Sequence, residues 1–200
     1  MMKTAMTAVV SLGLCLGSSQ KNSYAKYAVP NGELRYKITF PLLENPVHQK
    51  LYFSNYGASQ LVEMIDSAKQ FKTNLILLKN DSLAHVFMND SDFVSAENSP
   101  EFAHEKVVNS LAWAKAHDGA VITKQKDTLF QEKNCSYIEF HLQTTAMKGF
   151  VIYYRDIPLK IKYPWDTGMV EELVLTAMKI TTAPPAKLVK YQKAITANQD

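Results

Sequence analysis

The sequence predicts an α+β domain in which a single antiparallel sheet carries about three packed helices. Apolar and polar residues alternate in several short segments, helical spacing recurs in three longer ones, and short turns join three consecutive strands near the C-terminus. Strands joined mainly by hairpins, with helices between the blocks, are typical of this fold class. The chain shows no repeat and no internal linker, so we expect residues 26–185 to form one globular domain.

The first part of the chain predicts a strand pair, a helix and a second strand pair. Ser59 has the character of an N-cap, and the apolar residues that follow it recur at helical spacing. Residues 60–71 therefore predict an amphipathic helix, although Gln60–Asp66 could also be extended. The strands predicted in this part are residues 34–40, 50–53, 75–78 and 83–88.

The second part predicts a helix, a three-strand meander and a closing helix. Ser99 and Pro100 suit the start of the first of these helices, and Gly119 suits its end. Apolar residues at helical spacing predict the closing helix at about Met169–Ile180, followed by a polar tail over residues 186–200. The meander strands are residues 136–143, 149–155 and 159–163.

The order of these last elements loosely resembles that of single-domain PsbP/Mog1-like proteins. The resemblance rests on two long strands, a lysine-rich hairpin and a closing helix, which together cover about a third of the chain. It includes no shared motif. It therefore implies a fold only, and no residue role follows from it.

The first 25 residues have the layout of a secretory signal peptide. Lys3 supplies the positive charge, an uncharged apolar stretch follows, and small residues come last. The apolar stretch is shorter than the roughly 20 residues that a membrane-spanning helix needs. We expect cleavage after Ala25, with Ser19 as the alternative, and a retained membrane anchor is a further alternative. Leu14 stands where a lipobox needs a small residue, so we expect no lipid anchor at Cys15.

Loss of the leader leaves Cys135 as the single cysteine and lowers the formal charge from +3 to +1, because Lys3 and Lys21 are removed. One thiol cannot form an internal disulfide, so the core must hold the domain together. We expect Cys135 to be a small buried residue, with a nucleophile or an intermolecular bridge as the alternatives. The near-neutral charge and the scarcity of arginine do not indicate a nucleic-acid partner.

Candidates for catalysis or metal binding are weak. His104 and Glu105 begin like a metalloprotease helix, but Val108 stands where the second ligand belongs. Cys135 and His141 would lie about 20 Å apart along one strand, at roughly 3.3 Å per residue. The acidic pair at positions 90 and 92 suits a solvated loop. The pair at positions 171 and 172 suits the start of the predicted closing helix, where negative charge is favourable. We expect no catalytic site, no metal and no cofactor.

The most suggestive cluster is aromatic and lies near the last predicted hairpin. Tyrosine, tryptophan and arginine carry much of the binding energy at protein contacts. We therefore predict that any ligand or partner site uses these residues, although packing under the closing helix would also explain them. The predicted site residues are Tyr153, Tyr154, Arg155, Lys160, Lys162, Tyr163 and Trp165.

Together these features predict a periplasmic or secreted, non-enzymatic binding or accessory protein. Its partner would be an unidentified protein or small-molecule ligand, with no nucleic acid and no membrane span after the leader is removed. Two alternatives stay open: an exported hydrolase with an unrecognised site, and a secreted effector or immunity-type protein that acts on a partner.

Overall fold

Eleven antiparallel strands in one sheet make up most of the described chain. The computed structural model describes residues 26–41, 43–66, 71–78, 83–88, 92–97, 115, 119–164 and 170–197. The strands in chain order are β1 (Asn31–Thr39), β2 (Val47–Ser54), β3 (Ser59–Asp66), β4 (Phe71–Leu78), β5 (Leu83–Met88), β6 (Asp92–Glu97), β7 (Val121–Phe130), β8 (Lys133–His141), β9 (Lys148–Tyr154), β10 (Ile157–Pro164) and β11 (Val170–Thr181).

The sheet consists of two meanders joined by the strands nearest the chain ends. Its order is β6-β5-β4-β3-β2-β1-β11-β10-β9-β8-β7, and every neighbouring pair is antiparallel. The joining contact pairs Asn31 with Thr181 and Thr39 with Glu172. An antiparallel sheet with its meander from β8 to β10 was predicted correctly, whereas β6 and β7 were not predicted as strands, and β3 and β11 were predicted as helices.

Strand alternation gives the sheet an apolar inner face and a polar outer face. In β1, Leu34, Tyr36 and Ile38 point inward and are buried, whereas Arg35 and Lys37 point outward and are exposed. The register carries the same division into the neighbouring strands. Inward residues of β2, β9, β10 and β11 extend one hydrophobic core, namely Val47, Leu51, Phe53, Val151, Leu159, Ile161, Leu173 and Leu175.

Residues 26–30 show that the sheet curls around its inner face. The backbone nitrogens of Lys26 and Tyr27 donate to the carbonyl of Tyr56, in the turn between β2 and β3. The next residue, Ala28, donates to the carbonyl of Arg155, in the turn between β9 and β10. In a flat sheet these turns would be roughly 19 Å apart, at about 4.8 Å per strand. The carbonyls of Tyr56 and Arg155 accept hydrogen bonds from three consecutive residues, so they must lie much closer together than about 19 Å. The sheet is therefore bent.

One helix, α1 (Ala186–Ala197), packs on the outer face over β2 and β3. Its residues Leu188, Tyr191 and Ile195 are buried together with Leu61 of β3 and lie against Tyr52 of β2. Their spacing of three and four places them on one side of the helix. Residues 186–200 were expected to form a loose polar tail, and most of that segment is instead this helix.

The α+β fold with three packed helices is wrong, because two of the three predicted helices are strands. Residues 59–66 form β3. Residues four apart share one side of a strand as well as of a helix, so Leu61 and Ile65 fit both patterns. Both faces of β3 are covered, one by the core and the other by α1, and this removes the polar alternation that marks a half-exposed strand.

The predicted closing helix at Met169–Ile180 is also wrong, since residues 170–181 form β11 between β1 and β10. A bulge at Thr176 shifts the register by one residue, and its hydroxyl donates to the Arg35 carbonyl at 3.0 Å. The bulge breaks the period of two and leaves spacings that resemble a helix. Without the closing helix the PsbP-like element order is not reproduced. The remaining predicted helix, residues 99–117, lies almost entirely outside the described residues.

Candidate functional site

A tight two-residue turn joins β9 and β10 at the centre of the predicted site. Arg155 and Asp156 both adopt left-handed conformations, with φ of 51° and 61°, and Tyr154 pairs with Ile157 across the turn. Two positive φ angles characterise the hairpin turn that matches the twist of antiparallel strands, and glycine and asparagine normally occupy it. The backbone nitrogen of Ala28 donates a hydrogen bond to the Arg155 carbonyl at 3.1 Å. The position of the Arg155 backbone is therefore set by two separate parts of the chain.

Strand alternation splits the predicted aromatic cluster between the two faces of the sheet. Tyr153 and Tyr163 point to the inner face, and the Tyr163 ring lies 6.1 Å from the Phe140 ring. Burial raises the pKa of the Tyr153 hydroxyl, and the nearby Asp156 carboxylate raises it further. Tyr163 is buried in the core and Tyr153 packs against it, but the closing helix that the packing alternative required is the strand β11.

The other described members of the cluster lie on the outer face or in the turn. Arg155 is exposed, and its guanidinium carbon is 5.4 Å from the centre of the Tyr154 ring. Lys160 and Lys162 point outward from β10, and Lys160 forms an ion pair with Glu172 at 2.7 Å. Trp165 lies outside the described residues.

An outer aromatic patch adjoins these residues, and we define it as Tyr137, Phe150, Ile152 and Tyr154. The rings of Tyr137 and Phe150 are stacked with centroids 5.5 Å apart, and both side chains are half-buried. Lys126 of β7 lies 5.4 Å from the Tyr137 ring. The patch thus combines partly buried rings, the buried aliphatic side chain of Ile152 and flanking cations on the outer face of the sheet.

The Tyr137 hydroxyl donates to Glu139 at 3.3 Å. Burial raises the pKa of Tyr137, and the Glu139 carboxylate adds to this, so the hydroxyl stays a hydrogen-bond donor at neutral pH. Sequence reasoning missed Tyr137, Phe150 and Ile152. Each alternates correctly within its own strand, but the register between β8 and β9 was needed to place Tyr137 opposite Ile152.

Cys135 is buried on the outer side of β8, at one edge of the patch. It alternates with Tyr137 and not with the inward residues Ile138 and Phe140. Its Sγ lies 3.8 Å from the Phe130 carbonyl, and burial raises the pKa of the thiol. A protonated buried thiol is a poor nucleophile. Within the part of the chain that the structure describes, no three His, Cys, Asp or Glu side chains are grouped to hold a metal ion.

No helix among the described residues is both long and apolar enough to cross a membrane. No protein-family model and no curated protein matches the chain. Its fold is similar to that of an uncharacterized conserved protein from Thermus thermophilus, with a TM-score of 0.52 and 11% identity over 80% of this chain and 84% of that one. At this level of identity the similarity establishes the fold alone.

Two weaker similarities carry no argument. The MucA/MucB complex of Pseudomonas aeruginosa has a TM-score of 0.40 at 10% identity, over 82% of this chain and 58% of that chain. A DUF1329 family protein from Desulfovibrio piger has a TM-score of 0.36 at 10% identity, over 82% of this chain and 91% of that chain.

Proposed function

We propose that this chain is an exported accessory protein that binds a partner protein through the outer aromatic patch and the adjoining turn at Arg155. The observation that carries this proposal is the stacked, partly buried pair of Tyr137 and Phe150 on the outer face. Partly buried aromatic rings on the outer face that are flanked by Lys126 and Arg155 have the composition of a binding hot spot.

The position of the patch also supports this function. Helix α1 covers the outer face over β2 and β3. The patch lies on the same face but on β8 and β9, several strands away in the order of the sheet. Two-ring stacking and cation–ring contacts pre-organise the side chains, which lowers the conformational entropy that a partner must overcome on binding. The patch can therefore receive a partner with little rearrangement.

Export is part of the proposal and rests on the leader. The proposed cleavage site lies after Ala25, and the nitrogen of the next residue, Lys26, donates to the Tyr56 carbonyl at 2.9 Å. A mature chain that begins at Lys26 would keep every described contact of residues 26–30, including the ring contact between Tyr27 and Phe53 at 4.4 Å.

Site-specific photo-crosslinking in the native host tests the binding function. A photoreactive phenylalanine derivative would replace Phe150 in one variant and Tyr154 in another, with Leu129 as the matched control. Leu129 is the better exposed site, at 71%, but it lies on β7 outside the patch. We expect both patch positions to give the same discrete adduct of higher mass and the control position to give none. Adducts of equal yield from Leu129, or none from either patch position, would contradict the proposal.

A further inference from the structure

Basic residues are concentrated on one part of the outer surface. Nine lysine and arginine side chains lie on the outer side of β1–β3, β10, β11 and α1, against three glutamates, which leaves a formal charge of +6 there. The whole chain carries +3, so all its other residues together carry −3. The nine basic residues are Arg35, Lys37, Lys50, Lys160, Lys162, Lys179, Lys187, Lys190 and Lys193.

Four basic side chains form a compact group, which we call the basic strip: Arg35, Lys37, His48 and Lys50. The register places Arg35 opposite Lys50 and Lys37 opposite His48. Opposed side chains on neighbouring strands are about 5 Å apart at Cβ, so the like charges of Arg35 and Lys50 repel each other. Among the ion pairs of the described residues, none involves a member of the strip.

The strip is continuous with the proposed binding surface. Val174 of β11 lies opposite both Lys37 and Lys160, so the basic residues of β1 and β10 are two strands apart, roughly 10 Å. Lys160 and Lys162 then adjoin Ile152 and Phe150 of the outer aromatic patch. On the outer face, the aromatic patch of β8 and β9 is therefore followed by the lysines of β10, then by the basic strip of β1 and β2, and finally by helix α1.

Helix α1 lies beside the basic strip and projects above it like a step. A helix with its side chains is about 10–12 Å across, so α1 rises well above the strands beside it. Lys190 and Lys193 are exposed on the helix. A flat lipid surface would meet the helix before it met Arg35 and Lys37, whereas a single extended peptide is narrow enough to lie on the floor beside the step.

We propose that the partner presents an extended acidic segment that lies along β1 on the basic strip. This inference rests on the proposed function and adds the chemistry of the partner. Alternate side chains of an extended peptide are roughly 6.6 Å apart, which is also the separation of Arg35 and Lys37 along β1. Carboxylates at that spacing would relieve the repulsion within the strip.

Binding of an octaglutamate peptide to the full mature chain tests the inference. We expect the wild type to bind at 50 mM salt and to weaken steeply at 300 mM. The Arg35→Gln/Lys37→Gln variant should bind at least tenfold more weakly. The matched control, Lys124→Gln/Lys148→Gln, removes the same charge from exposed positions on β7 and β9 and should stay within twofold of the wild type. If the first variant melts at a lower temperature, the charge-preserving variant Arg35→Lys/Lys37→Arg should fold and bind like the wild type.

Three results would overturn the inference. The first is no measurable binding by the wild type at 50 mM salt. The second is equal weakening in the control variant, which would make the effect one of net charge. The third is binding to vesicles that contain phosphatidylglycerol without binding to octaglutamate, which would identify a membrane surface. If crosslinks from Phe150 and Tyr154 persist in any of these cases, the inference of an acidic segment is wrong, whereas the proposed binding of a partner protein is not contradicted.

Discussion

Arg155 illustrates how one residue's backbone shapes the proposed surface. Its φ of 51° lies in the left-handed region, which costs a non-glycine residue roughly 1–2 kcal/mol. Such strain is often retained where a side chain has a role in binding. Gln131, in the corresponding turn between β7 and β8, has a φ of 48° but lies away from the patch. A comparison of the two residues therefore distinguishes the effect of backbone strain, which both have, from the effect of the side chain on binding.

Replacement of each residue by glycine makes this comparison. Arg155→Gly removes the guanidinium group and relieves the left-handed strain, so stability should stay unchanged or rise by up to about 1 kcal/mol. Partner capture, measured as crosslink yield from Phe150, should fall severalfold. Gln131→Gly should show the same effect on stability with full capture. A normal crosslink yield in the Arg155→Gly variant would show that the arginine serves only the turn.

Cys135 is expected to be structural. Because its pKa is raised, the thiol stays protonated at neutral pH and should react with iodoacetamide far more slowly in the folded protein than in urea. The raised pKa contributes stability below the ordinary thiol pKa, and this contribution is lost as the pH rises through the raised value. Cys135→Ser should cost about 1–3 kcal/mol, measured by urea denaturation, because a hydroxyl replaces a buried thiol. Rapid alkylation of the folded chain would instead indicate a reactive site.

At the scale of elements, helix α1 is held to the sheet by an ion pair as well as by its apolar side. Glu63 of β3 is fully buried, and the Lys187 nitrogen lies 2.5 Å from one of its oxygens. The Tyr52 hydroxyl donates to the other oxygen at 3.0 Å. Burial, followed by the effect of Glu63, raises the pKa of Tyr52, so this donor is kept. The network fixes where the helix begins on the sheet.

A single and a double substitution test this ion pair. Lys187→Met removes the ammonium group from a buried carboxylate and should destabilise the protein by about 3 kcal/mol. Glu63→Gln/Lys187→Met removes both charges and should recover most of that loss, since no buried charge remains. Urea denaturation followed by helical circular dichroism reports both values. If Lys187→Met alone is neutral, the apolar contacts of Leu188 and Tyr191 hold the helix without the ion pair.

At the scale of the whole molecule, the sheet is completed by strands from opposite ends of the domain. Asn31 pairs with Thr181, so the junction between the two meanders forms only after β11 is available. Contacts between residues so distant in sequence make folding slow.

The export proposal predicts the mature N-terminus. Protein recovered from the periplasm or the medium of the native host should lack residues 1–25, so that intact-mass spectrometry gives a chain that begins at Lys26. An exported chain with an intact N-terminus would contradict cleavage. A lipid-modified Cys15 would contradict the expectation of no lipid anchor and would indicate a lipoprotein.

Short hairpins could be predicted from sequence because their signals are local. The strands around Leu34, Ile138 and Ile161 have one core face and a recognisable alternation, and the structure contains all three. The candidate site was only partly predicted. Residues Tyr153 and Tyr154 are neighbours in sequence but lie on opposite faces of the sheet, and Tyr137 joins the site only through the register of β8 against β9.

The sequence by itself determined the antiparallel meander, and it predicts a leader whose cleavage would leave one thiol, because each of these features depends on residue types within a short window. Only the tertiary structure decided that residues 59–66 and 170–181 are strands. Each of these strands is hydrogen-bonded to neighbours on both sides, and β3 is covered on both faces, so long-range pairing outweighs local helical spacing. The same long-range pairing brings Arg35, Lys37 and Lys160 onto one surface, which no local pattern encodes.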